Sequence, residues 1–201
     1  MSILEAIGKF RFLLSRHLIA LSPLPRSTTY KRLKRLEESK HLKHEHILYG
    51  VPSLYTLTHK GKMLIGLNKR DGKQRLEQIE HDIVVADIVI YSMQKLKLNL
   101  NEIASEKELH SQKGFGSRQH FPDFTFELEG KSYAIEIELS LKAKETLRKN
   151  AELNFMNYDT QIWVIRKRNS LLNNRLGELI MSYPNIFIEY VEELTPNYDR
   201  S

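Results

Sequence analysis

Apolar and polar residues change their spacing several times along the chain, and each change marks an element. Ile3, Leu4 and Ile7, then Phe10, Leu13, Leu14, His17, Leu18 and Leu21, recur at three- and four-residue intervals, which predicts short helices over about 2–8 and 11–21. Ser22-Pro23-Leu24-Pro25 stops that pattern. Ser27 is then the expected N-cap of a third helix, Thr28 to about Lys40, with Tyr30, Leu33 and Leu36 or Glu37 as its inner stripe. Two short β-like runs, HLKHEHILYG and VPSLYTLTHKG, meet at Gly50-Val51-Pro52-Ser53, and a short helix over about Lys60–Leu67 follows. Helix, helix, cationic helix, two-stranded wing, helix is the order of a winged helix-turn-helix.

Asn68 to Lys73 is polar and contains a glycine, so it reads as a linker between a domain over 1–68 and a second over 74–201. In the segment from Gln74 to about Leu98, Ile79, Ile83, Ala86, Ile90 and Met93 mark a helical stripe, while the β-branched run IVVADIVIY also fits a buried strand. His81 and Asp82 near its start read as a structural pair. LNLNEIASEKEL holds a short strand and a helical turn. FTFEL and YAIEIEL alternate strictly about Glu129-Gly130-Lys131, which predicts a hairpin. AKETLRKNAELNFMNYD reads as an amphipathic helix with Leu147, Ala151, Leu153 or Asn154, and Met156 inward. TQIWVIRK is a buried strand with the sole tryptophan, Trp163. NSLLNNRLGELIMSY is a helix capped by Asn169, and NIFIEYVEEL is a last strand. The second part therefore runs α-β-β-β-α-β-α-β, and the fold class is α/β (α+β overall).

Charge separates the two parts. Residues 1–75 carry 16 Lys and Arg against 5 Asp and Glu, a balance of +11, and residues 76–201 carry 15 against 20, a balance of −5. A basic module beside a mildly acidic one points to a polyanionic partner, here duplex DNA. Ser27, Thr28, Thr29, Lys31 and Arg32 are expected to reach base edges or phosphates, and Lys34, Arg35, Lys40 and Lys43 to touch phosphates. Lys113 and Arg118, in the glycine-containing loop HSQKGFGSRQ, are further candidates. His44-Glu45-His46 resembles the histidine pair of HUH-type relaxases only superficially, because its middle residue is charged; histidines lying near phosphate are the plainer reading. With 41% hydrophobic and 28% charged residues the chain reads as globular, and no apolar run approaches the ~20 residues of a membrane span. The absence of cysteine excludes disulfides and thiolate chemistry. MSILEAIGKFRF lacks the pattern of a signal peptide, so a cytoplasmic protein is expected.

The candidate chemistry lies in HFPDFTFELEGKSYAIEIELSLK. Period two puts Glu136 and Glu138 on one face of the second hairpin strand, with Ile135, Ile137 and Leu139 on the other, and Asp123 sits where the first strand begins. Three carboxylates near one point of a sheet repel one another unless a hard cation lies among them. The alternative is the solvated outer face of a hairpin.

An αβββαβ order with Pro-Asp on the second strand and Glu-x-Glu on the third resembles the PD-(D/E)xK restriction-endonuclease-like fold. A winged helix joined to such a domain is similar to the replication-relaxation family of plasmids and integrative elements, related to the MobC-type relaxases. TTYKRLKRLEESKHL, YTLTHKGKMLIGL, EHDIVVADI, ASEKEL, HFPDFTF and YAIEIELSLK carry the likeness. The resemblance implies that Asp123 and Glu136 bind Mg2+ or Mn2+, with a further contact from Glu106 or Glu80. It also implies a catalytic set of Asp123, Glu136, Glu138 and Lys142. Glu138 stands where the family has lysine, so Lys142 would have to act in its place. The implied function is relaxation, mobilisation or replication of DNA, with or without metal-dependent nicking. Expected partners are duplex DNA at a transfer or replication origin, relaxosome or replication proteins, and a second copy in a homodimer. A transcription regulator with an inactive nuclease-like domain, and an adaptor that binds no DNA, are the alternatives.

Overall fold

The computed structural model describes residues 2–46, 53–67, 76–112 and 119–195. They form two compact units that divide between Ile90 and Tyr91. The expected linker at 68–73 lies outside the described residues, and the division falls inside a helix.

The first unit opens with α1 (Ile3–Lys9), held by a reciprocal cap in which Ser2 Oγ accepts from the Glu5 N–H at 3.2 Å and Glu5 Oε2 accepts from the Ser2 N–H at 2.6 Å. The helix expected over 11–21 is shorter. Leu13–Leu14 form a strand, β1, and α2 spans Ser15–Leu21. Phe12, Leu13 and Leu14 are all buried, and three consecutive buried side chains suit extended backbone covered on both sides better than one face of a helix. The third helix, α3, runs Arg26–Glu38 rather than from Thr28 to Lys40. Pro25 occupies the N-cap, so Ser27 lies inside the first turn and caps nothing. Lys40, at φ 60°, ends the helix in left-handed backbone. The inner stripe also differs. Thr29 and Leu33 are buried, whereas Tyr30 is 40% exposed beside the Arg26 guanidinium.

Strands β2 (Leu42–Glu45) and β3 (Leu54–Leu57) complete an antiparallel sheet in the order β1-β3-β2, and α4 (His59–Leu64) follows behind a Thr58 cap. α4 sits so close to the chain before β2 that a Cβ on Gly61 would meet the His41 carbonyl oxygen, which restricts the position to glycine.

The segment after the linker is helical, not a strand: α5 spans Leu76–Leu96. Its first half belongs to the first unit. Ile79 packs with Phe12, Leu14 and Leu54, and Arg11 reaches Gln78 Oε1 at 3.0 Å and Asp82 Oδ2 at 3.5 Å. His81 and Asp82 lie 3.6 Å apart as the expected pair. Deeper in, Asp87 is 4% exposed and accepts from His17 Nε2 and from an Arg16 guanidinium nitrogen, each at 2.9 Å. His17 Nδ1 in turn accepts the Leu14 N–H at 3.2 Å, so the imidazole bridges α2 and α5. Burial lowers the His17 pKa despite the opposing pull of Asp87, which keeps the ring neutral. Burial raises the Asp87 carboxyl, but its bonds to His17 and Arg16 outweigh that and lower it.

The second unit begins with the rest of α5 and is built on a five-stranded sheet, β4 (Ile103–Ser105), β5 (Phe124–Leu128), β6 (Lys131–Glu138), β7 (Thr160–Ile165) and β8 (Ile186–Tyr190), in that spatial order. β4, β5 and β6 are antiparallel, and β6, β7 and β8 are parallel. The expected α-β-β-β-α-β-α-β order is present, with short helices α6 (Glu106–Gln112) and α9 (Val191–Leu194) added. α9 takes the last four residues expected in the final strand. The hairpin turns on Glu129 and Gly130, both at positive φ, the conformation that matches the twist of two-residue connections. α7 (Lys144–Asn157) and α8 (Ser170–Ile180) are the parallel crossovers. Leu147 and Ala151 of α7, Trp163 and Ile165 of β7, Leu172, Leu176 and Leu179 of α8, and Ile186 of β8 form the core. Asn169 caps α8 as expected. Met156, expected inside, is 70% exposed, and Asn150 and Asn154 take the inward positions. No helix among the described residues is long and apolar enough to cross a membrane.

Replacing Asp87 removes the acceptor of a buried imidazole N–H and of an arginine N–H at once. Asp87→Ala is expected to cost about 2–4 kcal/mol, with Asp87→Asn nearer the lower end because it retains one acceptor. Urea denaturation followed by far-UV circular dichroism checks both values.

Candidate functional site

β6 is the central strand of its sheet, and residues 134–138 are buried without a break. Glu136 and Glu138 are each 4% exposed, so the reading of this hairpin as a solvated outer face does not hold. Each buried carboxylate has its own compensation. Glu136 Oε1 accepts from His120 Nε2 at 2.5 Å and from Asn154 Nδ2 at 2.8 Å. Glu138 Oε2 pairs with Lys142 Nζ at 2.6 Å, and its Oε1 accepts the Ser140 N–H and Oγ–H at 3.3 Å each. Lys142 therefore does turn back to the strand, and the acid it meets is Glu138.

The register pairs Phe124 with Ile135, which sets Asp123, one residue earlier, opposite Glu136. Asp123 Oδ2 accepts the Ile137 N–H at 2.7 Å, so its carboxylate is fixed across the mouth of the hairpin pair. Asp123 and Glu136 feel each other's charge, and Lys142 feels both. Burial raises the Glu136 pKa, with the His120 hydrogen bond and charge as the main opposing influence. Burial also depresses His120, but Glu136 outweighs it and the net shift is upward. The pair thus keeps one proton between them to a higher pH than an isolated imidazole would. Lys142 is likewise lowered by burial and more than restored by Glu138, for a net rise.

Two carboxylates come together here, and the expected third metal ligand does not join them. The Glu106 N–H donates to the Asp123 carbonyl at 2.9 Å, which ties the start of α6 to the site, but the Glu106 carboxylate faces His110 Nε2 at 3.6 Å. Glu80 is exposed on the part of α5 that belongs to the first unit. Among the described residues no group of three or more His, Asp or Glu is placed to hold a metal ion. That includes the histidines of the first unit. His44 stacks on Tyr55 at 4.1 Å with rings 7° apart and lies 3.6 Å from Glu37.

Sequence reasoning missed His120 and Asn154 as site residues. Their signals were slight: a histidine three residues before Asp123, and an asparagine in the inner stripe of α7, where an apolar side chain is the rule.

On the first unit, Ser27, Thr28, Lys31, Arg32, Lys34, Arg35, Lys40 and Lys43 are all exposed, and the first six of these share α3. Thr29 is removed from the expected contact set. It is fully buried, its single Oγ1–H within reach of three acceptors, Ser22 Oγ at 3.0 Å, Pro25 O at 3.2 Å and Leu24 O at 3.3 Å, so it fastens the turn before the helix. Lys113 and Arg118 lie outside the described residues. No family model matches the chain, and no curated protein matches it.

The His120–Glu136 bond has a measurable pH signature. Because the folded His120 pKa lies above its ordinary 6.5, the stabilisation is complete below pH 6.5 and is lost as pH rises through the folded value. In Glu136→Gln the partner charge is gone, and burial and Lys142, which both lower the His120 pKa, are opposed only by the weaker pull of Asp123, so it should fall below 6.5 and the pH trend should reverse. Imidazole NMR titration of both proteins tests this; unchanged His120 titration in the variant would contradict it.

Proposed function

We propose that this chain is a duplex-DNA-binding protein with a winged helix-turn-helix unit followed by a PD-(D/E)xK nuclease-like unit. In this reading it belongs with the replication-relaxation proteins of plasmids and integrative elements and acts in DNA relaxation, mobilisation or replication at a transfer or replication origin. The observation that carries the reading is the Asp123–Glu136 pair, opposed across β5 and β6 with Lys142 beside it. The β1-β3-β2 sheet behind α3, and the exposed cations along α3, support the DNA-binding half.

The donor set suits a hard cation. Mg2+ is held by one or two carboxylates with water filling its remaining positions, so Asp123 and Glu136 suffice without Glu106. When bound, Mg2+ or Mn2+ would lower the pKa of a water and neutralise charge on the scissile phosphate. The chain's own residues do the rest. The Ile137 N–H and Asn154 orient the two carboxylates. His120 keeps a proton at Nε2 against Glu136. Lys142 supplies positive charge where phosphate charge develops, and Glu138 positions that lysine.

The arrangement of Glu136 also favours a second reading. Its burial is balanced by hydrogen bonds from His120 and Asn154, as expected of a nuclease-like scaffold kept for dimerisation beneath a transcription regulator. Incubating supercoiled plasmid bearing the cognate origin with Mg2+ or Mn2+ separates the two. Nicking is expected, with a drop of at least about 100-fold in Asp123→Ala and Glu136→Ala; an intact plasmid with the parent protein selects the regulator.

Duplex binding has its own test. With several α3 cations on phosphate, log affinity should fall with log salt at a slope of several units, and Lys34→Ala with Arg35→Ala should reduce that slope by about 2. A flat salt response would leave only a protein-binding adaptor.

A further inference from the structure

A cavity of about 170 Å3 lies against His120 and Asn154, the two side chains that hold Glu136 Oε1. Gln112 and Asn157 add two more polar groups to its wall, and Phe121 and Leu153 stand in its apolar part. Among the described residues, no Lys, Arg, Asp or Glu lines it. The proton of His120 is already engaged by Glu136, and a purely apolar guest would leave the carboxamides unsatisfied. The complement of this wall is a neutral, flat group with a hydrogen-bonding edge. The volume is below the 300 Å3 or so of a drug-sized site, so it suits one ring system and not a whole nucleotide.

We propose that this cavity receives a single unstacked nucleobase of the strand whose phosphate lies at Asp123 and Glu136. The proposal rests on the DNA reading of the second unit. A carboxamide offers a donor and an acceptor side by side, the pattern that matches the edge of adenine. Asn154 and Asn157 are already oriented, since each spends one N–H within the protein, on Glu136 Oε1 at 2.8 Å and on the Leu153 carbonyl at 2.6 Å. Bases read in this way are extruded from the stack, held by their edges and covered by apolar side chains. Because Asn154 touches both the cavity and Glu136, the seated base and the reacting phosphate share one side chain. Base identity in the cavity then selects which phosphate is presented, independently of the contacts made by α3.

The test uses the full chain and five probes: the four 2′-deoxynucleoside 5′-monophosphates and 2-deoxyribose 5-phosphate. The side-chain NH2 resonances of Asn154, Asn157 and Gln112 should shift with the nucleotides, most with the adenine nucleotide, and not with the sugar phosphate. Leu153→Trp, which fills the cavity, should weaken the nucleotide response about tenfold or more. If that variant does not fold, Asn157→Ala should weaken it in the same direction. Equal shifts from the sugar phosphate, no shifts from any nucleotide, or an unaltered response in the variants would overturn the proposal. Plasmid nicking is scored separately. Base-dependent shifts without nicking sink the nicking reading alone, and nicking without such shifts sinks the base pocket alone.

Discussion

Glu136 sits, 4% exposed, on the central strand of its five-stranded sheet, where an ionised carboxylate is costly unless other groups replace the lost water. In the second unit, several features answer to that constraint. α7 presents Asn154 where its neighbours Leu147 and Ala151 serve the apolar core. The chain before β5 places His120 and Asp123 over the same point. The segment after β6 bends so that Ser140 and Lys142 can serve Glu138. An apolar residue at 136 would need none of these.

The first unit shows the opposite economy. Its cations are left in solvent along α3, while the buried charge among its described residues is the Asp87 carboxylate, held by His17 and Arg16. Surface lysines and arginines contribute little to stability. Their concentration on one helix is the feature on which the proposed DNA contact rests. Thr29 marks the boundary between the two roles, since it belongs to the same helix and turns inward to fasten the preceding turn.

Much of this was legible in the sequence. Strict alternation in FTFEL and YAIEIEL gave the hairpin, because period two leaves little choice of face. What escaped had physical causes. β1 was hidden because Leu13 and Leu14 also satisfy a helical period, and only burial on both sides distinguishes a short strand. α3 begins at Arg26, straight after Pro25, so Ser27 already lies inside the first turn. α5, by contrast, was read as a helix from its apolar stripe, with a strand left open by its β-branched run, and the contacts of Ile79 and Asp87 go with the helix. Glu106 looked like a ligand from its position alone. Its backbone does reach Asp123, but the side chain has a closer partner one turn along in His110. His120 and Asn154 depended on a three-dimensional meeting that no local spacing encodes.

Trp163 is the chain's sole indole, 1% exposed, paired across the sheet with Glu136 and bonded through Nε1 to Gln161 at 3.0 Å. Intrinsic emission excited at the indole band therefore watches only one half of the molecule. Melting of the cationic half would leave that optical signal quiet, and a single smooth fluorescence transition would not establish that the whole chain unfolds in one step.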